Sequence, residues 1–214
     1  MHPRLAITLL LAGVLSLAAI VLVASREQER QAPVEDLTVV EGPAAATPFA
    51  GSPLPFRVRA PSFALSDQDG EPIAMRDYRG SPVAVTFLYT NCEETCPPQA
   101  QQIKGALDEL GHDVPAIAIA VDPESDTEES AREFLVEQRM TGRMDFVLGT
   151  REELEPLWEG YAIQPQTEKA EHQARITLVD PRGFQRVGFP IEQATPERIA
   201  HDLRLLEQGE ASAG

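Results

Sequence analysis

The chain has 214 residues, of which 34 are Asp or Glu and 18 are Lys or Arg, giving a formal net charge of −16. With 43% hydrophobic and 24% charged residues, this composition is typical of one globular domain with an appendage rather than of a disordered chain. The acidic balance argues against a nucleic-acid partner, because a phosphate backbone requires a basic protein face. There are two cysteines, Cys92 and Cys96, so a disulfide-dense scaffold and a four-cysteine zinc or iron–sulfur site are excluded.

The N-terminal segment over residues 5–24 is predicted to be a membrane anchor. Its 20 residues contain no charge and no proline, and as a helix they would span about 30 Å, the thickness of a bilayer core. The hydrophobic region of a cleaved signal peptide is shorter, about 7–15 residues, so a retained single-pass helix is favoured over cleavage after Ala24. Arg4 favours a cytoplasmic N-terminus, which would place the rest of the chain outside the cytoplasm.

Residues 25–57 are predicted to be an extended linker, and residues 58–210 to be the folded domain. The linker is rich in Ala, Glu and Pro and has too few large apolar side chains to bury a core. Within the domain, residues 61–75 have the pattern of a β-hairpin with a tight turn at Asp69-Gly70. Apolar runs then predict strands over 82–89, 114–121, 146–148, 174–179 and 184–189. Helix-capping residues and the helical spacing of apolar residues predict helices over 97–110, 128–140, 152–158 and 195–206. Asp126-Thr127 is expected to cap the second of these helices.

This order of elements predicts an α/β domain. A βαβ unit followed later by a β-hairpin and a final helix describes a thioredoxin-like sheet with helices on both faces, here preceded by an additional N-terminal hairpin.

Cys92 and Cys96 lie just beyond the first buried strand, at the edge where α/β sheets bind ligands. A spacing of four is expected to place both sulfurs on one face of a helical turn, which suits either a disulfide or two thiolates on one metal ion. A purely structural disulfide is weakly motivated, since so short a loop removes little entropy from the unfolded chain. Two buried cysteines without a role are not expected, because we expect the turn to be exposed. Two thiolates are an incomplete copper site, and an imidazole is a suitable third donor.

The chain has four histidines that could supply this third donor, and their positions in the sequence distinguish them. His2 precedes the anchor, His112 follows a helix stop in a polar loop, and His201 lies in the last helix. His172 immediately precedes the strand over 174–179. In a thioredoxin-like sheet, the loop before this strand lies beside the turn that carries the cysteines. We therefore favour His172 as the third donor.

At these residues the chain resembles the Sco/SenC family, the copper chaperones of cytochrome c oxidase assembly. The resemblance covers roughly residues 58–206. It rests on four segments of the sequence: residues 61–92, the motif CEETCP (92–97), VDPESDT (121–127) and EHQARITLVDPRG (171–183). The acidic Glu93-Glu94 between the cysteines departs from the more usual Pro and apolar residue.

The resemblance implies that Cys92, Cys96 and His172 bind one copper ion, as Cu(I) or Cu(II), in a domain on the periplasmic side of a bacterial inner membrane. The implied partners are the copper-bearing subunit of cytochrome c oxidase, a copper donor protein and a thiol reductant. Asp122 and Asp126 occupy the family's acidic positions. We interpret Asp126 as a helix N-cap and keep Asp122 as a further oxygen donor near the metal.

Two other functions remain open. The first is a thiol–disulfide oxidoreductase that reduces the oxidase cysteines, with Cys92 attacking and Cys96 resolving. The second is a peroxidase of the peroxiredoxin type, which is disfavoured because it needs Thr-x-x-Cys, whereas Thr90 is only two positions before Cys92.

Overall fold

The computed structural model describes residues 47–55, 57–164 and 174–209. These residues contain eight strands, four α-helices and two short 3-10 helices, the latter at Met75–Tyr78 and Ile191–Gln193. The strands are β1 (Ser52–Pro53), β2 (Ala64–Ser66), β3 (Pro72–Ala74), β4 (Val83–Leu88), β5 (Ala116–Ala120), β6 (Asp145–Val147), β7 (Arg175–Val179) and β8 (Gln185–Pro190). The helices are α1 (Cys96–Leu110), α2 (Glu128–Glu137), α3 (Arg151–Gly160) and α4 (Pro196–Glu207).

Six strands form one mixed sheet in the order β1-β8-β7-β4-β5-β6. Strands β4, β5 and β6 run parallel, whereas β7 is antiparallel to both β4 and β8. All six residues of β4 and all five of β5 are buried, as expected for strands that are apolar on both faces and covered by helices on both sides. The sheet therefore has the mixed α/β arrangement that the order of elements predicts.

Helices cover both faces of this sheet. Helix α1 packs against α4, and the Gln101 amide of α1 donates to the main-chain oxygen of Gln138 at the end of α2, so these three helices share a face. Helix α3 covers the other face, where Tyr161 at its C-terminus makes an edge-on ring contact with Phe87 of β4 at 5.2 Å. Successive strand residues point to opposite faces, so Thr86, the neighbour of Phe87, points towards α1.

The structure differs from the sequence-based expectation in three local respects. The edge strand β1 was not predicted, and it pairs with β8 although it falls in the sequence assigned to the linker. The hairpin β2–β3 forms as predicted, but its connection is the five residues 67–71, in which the Asp67 carboxylate accepts main-chain N–H bonds from Asp69 and Glu71. Helix α2 ends at Glu137 rather than at residue 140.

The predicted anchor over residues 5–24 lies outside the described residues. Within the described part of the chain, no helix has both the length and the apolar character needed to cross a membrane.

Candidate metal-binding site

The two cysteines lie together between the end of β4 and the start of α1. Cys96 is the first residue of α1, and Cys92 precedes the helix in the loop, where its N–H donates to the Tyr89 carbonyl at 3.3 Å. The expectation that both sulfurs occupy one turn of the helix is therefore wrong. The loop folds back instead, so that the Cys96 N–H donates to the Cys92 sulfur at 3.2 Å.

The N-terminus of α1 has few main-chain N–H groups that can donate a hydrogen bond. The Cys92 sulfur accepts the N–H of Cys96, the first residue of the helix. Thr95 occupies the cap position without making a side-chain cap bond. Pro97 and Pro98 have no N–H, and the Gln99 N–H is used within the helix on the Thr95 carbonyl. The partial positive charge of the helix terminus is therefore directed at the Cys92 sulfur, which also lies 3.3 Å from the Thr95 hydroxyl. This arrangement favours a thiolate at Cys92.

Both cysteines are buried, with 6% of Cys92 and none of Cys96 exposed. The expectation of an exposed turn is therefore wrong for the sulfurs, although Glu93 and Glu94 between them are exposed. Burial, followed by the hydrogen bond to the neighbouring Cys92 sulfur, raises the pKa of the Cys96 thiol well above its ordinary value. Hydrogen bonds from the Tyr89 main chain and the Thr95 side chain lower the pKa of Cys96 but do not offset its burial. The two sulfurs are unequal, because the Cys92 sulfur accepts the N–H at the helix terminus whereas Cys96 is completely buried.

The acidic segment after β5 is tied to the cysteine loop, but not in the way the sequence suggested. The interpretation of Asp126 as the N-cap of α2 is wrong, because Thr127 is the cap residue and its hydroxyl accepts the Ser130 N–H. Asp126 is buried, and its carboxylate accepts the N–H of Thr90 at 2.7 Å and that of Asp122 at 3.2 Å. Asp126 thus holds the loop two residues before Cys92.

The hydrogen bonds to Asp126 and the burial of its carboxylate have opposite effects on its pKa. Burial raises the pKa of Asp126 to about 6, and the hydrogen bonds from Thr90 and Asp122 offset only part of that effect. The Asp122 carbonyl accepts the N–H groups of Ser125 and Asp126, which closes a turn before α2.

Of the four histidines, two lie within the described residues. His112 is exposed and its Nε2 lies 2.7 Å from a carboxylate oxygen of Glu207, as expected for a solvated loop residue. The Nδ1 of His201 lies 2.8 Å from the buried carboxylate of Asp202. His172 and His2 fall outside the described residues. Over 47–55, 57–164 and 174–209, no group of three or more His, Cys, Asp or Glu side chains is placed to hold a metal ion.

The sequence analysis missed a buried polar pair behind the cysteines. Thr86, in the middle of β4, and Gln99, one turn after Cys96 in α1, both have no exposed surface. The Thr86 Oγ1 lies 2.9 Å from the Gln99 Oε1 and 3.2 Å from the main-chain oxygen of Arg175. The available signal was Thr86 itself, the one polar residue in the apolar run over 82–88.

Comparison with known proteins identifies the family. The SCO1/SenC family model matches residues 55–207, which include both cysteines, the acidic segment and His172. The chain belongs to the SCO1/SenC family. Protein SenC of Rhodobacter capsulatus is 30% identical over 153 residues, covering 66% of this chain and 67% of SenC.

Solved structures of this family share the fold. Bradyrhizobium japonicum ScoI, solved with copper bound, is 29% identical, with a TM-score of 0.59 over 68% of this chain and 98% of ScoI. BsSco, described as a member of the Sco family of cytochrome c oxidase assembly proteins with a disulfide switch, is 26% identical. Its TM-score is 0.62 over 70% of this chain and 93% of BsSco. These matches confirm the predicted thioredoxin-like α/β fold.

Proposed function

We propose that this protein is a copper chaperone that binds one copper ion through Cys92, Cys96 and His172 and delivers it to the binuclear copper centre of cytochrome c oxidase. The observation that supports the proposal most is the pair of buried sulfurs at the N-terminus of α1, in a chain of the SCO1/SenC family. A relative of 29% identity has been solved with copper bound.

The donor set fits a soft metal ion. Two thiolates prefer Cu(I) over harder cations, and an imidazole completes a three-donor site that also accepts Cu(II). Among the described residues, no group of three or more His, Cys, Asp or Glu side chains is placed to hold a metal ion, and we assign the third donor to His172. His172 comes two residues before residue 174, where the described part of the chain resumes, and its imidazole is a suitable copper ligand.

Copper binding is expected to release a proton from the Cys96 thiol. The high pKa of the Cys96 thiol keeps it protonated in the metal-free protein, and only a thiolate binds the metal, so the ion must displace that proton. The Cys92 sulfur already accepts the Cys96 N–H and needs little rearrangement to become a ligand. Loading also requires both cysteines to be reduced, which implies a thiol reductant as a partner.

We further propose that residues 5–24 anchor the protein in a bacterial inner membrane as a single helix, and that residues 25–57 hold the domain on the periplasmic side. The length and apolar character of the segment support this placement. The oxidase copper-bearing subunit and a copper donor protein would then meet the domain outside the cytoplasm. The Glu93-Glu94 pair between the cysteines is exposed and acidic, and a basic face on either partner would match it.

A second function is favoured by the inequality of the two sulfurs. A Cys92 thiolate would attack a disulfide of the oxidase subunit, forming a mixed disulfide and releasing one partner thiolate. Cys96 would then attack Cys92, releasing the second partner thiol and leaving a Cys92–Cys96 disulfide that a thiol reductant must reduce. Two electrons pass to the partner in this sequence. The Cys92 sulfur accepts the Cys96 N–H at the helix N-terminus and lies 3.3 Å from the Thr95 hydroxyl, and such contacts stabilise an attacking thiolate.

Copper titration separates the two functions. The reduced protein is titrated with Cu(I) in competition with a chromophoric chelator, and the same is done for His172→Ala and for His112→Ala. We expect one equivalent to bind, a loss of more than about 100-fold in affinity for His172→Ala, and no loss for His112→Ala. The first expectation exceeds the 10–100-fold effect typical of residues that only support a ligand.

Weak binding that is insensitive to His172, together with stoichiometric reduction of a disulfide substrate, would overturn the chaperone function in favour of the reductase. For the anchor, mass spectrometry of the mature N-terminus decides, because a terminus near Ser25 would mean that the segment is cleaved.

A further inference from the structure

The central strand β4 contains one polar side chain, Thr86, in the run Val83–Leu88, and its hydroxyl is completely buried. A hydroxyl in this position is unfavourable unless it is hydrogen-bonded, by about 1–3 kcal/mol in proteins. Valine has the same shape and would be the less costly residue in a buried strand. Thr86 therefore needs an explanation beyond packing.

The hydroxyl connects three elements of the fold. Its oxygen lies 2.9 Å from the Gln99 amide oxygen on α1 and 3.2 Å from the main-chain oxygen of Arg175, the first residue of β7. Strand β4 ends four residues before Cys92, and Gln99 is three residues after Cys96 on the same helix face. Arg175 follows His172 by three residues in the sequence.

The orientation of the Gln99 amide decides how these bonds form. A hydroxyl has one proton and cannot donate to both the amide oxygen and the Arg175 oxygen. The Gln99 Nε2 atom is buried and has no hydrogen-bond partner among the described residues. Turning the amide by 180° places Nε2 against the Thr86 oxygen, so that the amide donates to the hydroxyl and the hydroxyl donates to Arg175. Both bonds are then made at once, and the atom left over is a carbonyl oxygen, which is less costly to bury unpaired than an N–H.

We propose that Thr86 and Gln99 are positioning residues for the copper thiolates. Their chain of hydrogen bonds fixes the first turn of α1, with Cys96, against β4 and the start of β7. The inference rests on the proposed function, because it names what holds one ligand of that site in place. Neither residue touches the metal.

The test uses the full chain with four single variants and the double variant Thr86→Val/Gln99→Leu. Thr86→Val removes the hydroxyl at constant shape, Thr86→Ser keeps it, and Gln99→Leu removes the amide. The matched control is Thr177→Val. Thr177 is buried in β7 and pairs with Val85 in the register of the sheet, so it points to the opposite face from Thr86.

Two quantities are measured for each variant: the Cu(I) affinity by chelator competition, and the equilibrium of the metal-free thiol pair with glutathione. We expect Thr86→Val and Gln99→Leu each to lower the copper affinity by about tenfold, the low end for residues that support a metal ligand. The double variant should be no weaker than either single one, because both residues act through one chain of bonds. Thr86→Val and Gln99→Leu should each also shift the glutathione equilibrium constant by about tenfold. Thr86→Ser and Thr177→Val should match the wild type in both measurements.

Wild-type copper affinity and an unchanged glutathione equilibrium in Thr86→Val would overturn the positioning role, whatever the effect on unfolding. Should Thr86→Val fail to fold, the same two results in Gln99→Leu would overturn it. A wild-type protein that does not bind copper would overturn the proposed function instead, and the glutathione equilibrium would still decide whether the pair positions the thiols.

Discussion

Asp126 joins the acidic segment to the cysteine loop, and its replacement by Asn separates its effects on stability and on the site. The carboxylate is buried and accepts two main-chain N–H groups without a cation within ion-pair distance among the described residues. Its pKa is raised from an ordinary 3.8 to about 6 because burial outweighs the two hydrogen bonds. At 1.36 kcal/mol for each pKa unit, the ionised form is about 3 kcal/mol less favourable in the folded chain than in the unfolded one.

The sign of the pH dependence follows from this shift. Between pH 3.8 and about 6 the folded chain retains a proton on Asp126 that the unfolded chain has lost. The contribution of Asp126 to the free energy of unfolding therefore falls as the pH rises through this window, and it stays low above it. Asp126→Asn carries no such charge. We expect the variant to be about 2–3 kcal/mol more stable than the wild type at pH 7, with the difference shrinking towards pH 4.

The assay is urea unfolding of reduced protein from pH 4 to pH 8, monitored by the fluorescence of Trp158, which is the single tryptophan of the chain and is buried. Asp180→Asn is the matched control. Asp180 is also buried and accepts two main-chain N–H groups, but it lies 3.3 Å from the Arg186 guanidinium. Removing its charge should lower the free energy of unfolding at pH 7 by about 1–3 kcal/mol.

Two results would contradict an unfavourable buried charge at Asp126: a variant less stable than the wild type at pH 7, or a difference in stability that does not change with pH. In the first case the hydrogen bonds to Asp126 would outweigh the burial of its charge, and in the second they would balance it. The site should respond in the opposite direction to stability. The N–H groups of Thr90 and Asp122 bond different oxygens of the Asp126 carboxylate, and Asn replaces one of these oxygens by an NH2 group. The variant therefore loses one of the two bonds, and a loosened Thr90 would lower the copper affinity.

Three further predictions concern the packing around the sheet. Asp202→Ala removes the carboxylate that accepts the N–H groups of residues 50 and 51; hydrogen exchange should show these amides losing protection, with unchanged protection being contrary to the assignment. Gly105→Ala would place a Cβ 2.7 Å from the Cγ of Pro196, so the free energy of unfolding by urea should fall by about 1–3 kcal/mol as α1 and α4 separate. Thr127→Ala removes the N-cap of α2 and should cost about 1 kcal/mol, whereas Thr127→Ser should restore most of the loss; equal stability of all three proteins would contradict the cap assignment.

The sequence determined the broad features of the fold, since they depend on local pattern. Short continuous apolar runs rich in β-branched and aromatic residues, such as that over 82–88, favour strands covered on both faces, and the order of strands and helices allows few topologies. It also located the cysteine pair at the end of β4, because the edge of an α/β sheet is set by where the strands end. The edge strand β1 was not predictable, because two residues have no period and pair only through the position of β8.

Only the tertiary structure decided how the candidate site is built. The spacing of Cys92 and Cys96 could not show that the loop folds back, that the Cys92 sulfur accepts the Cys96 N–H, or that both cysteines are buried. The pairing of Asp126 with Thr90 and of Thr86 with Gln99 joins residues from different elements. Hydrogen bonds of this kind depend on which faces are packed together, and no local propensity encodes them.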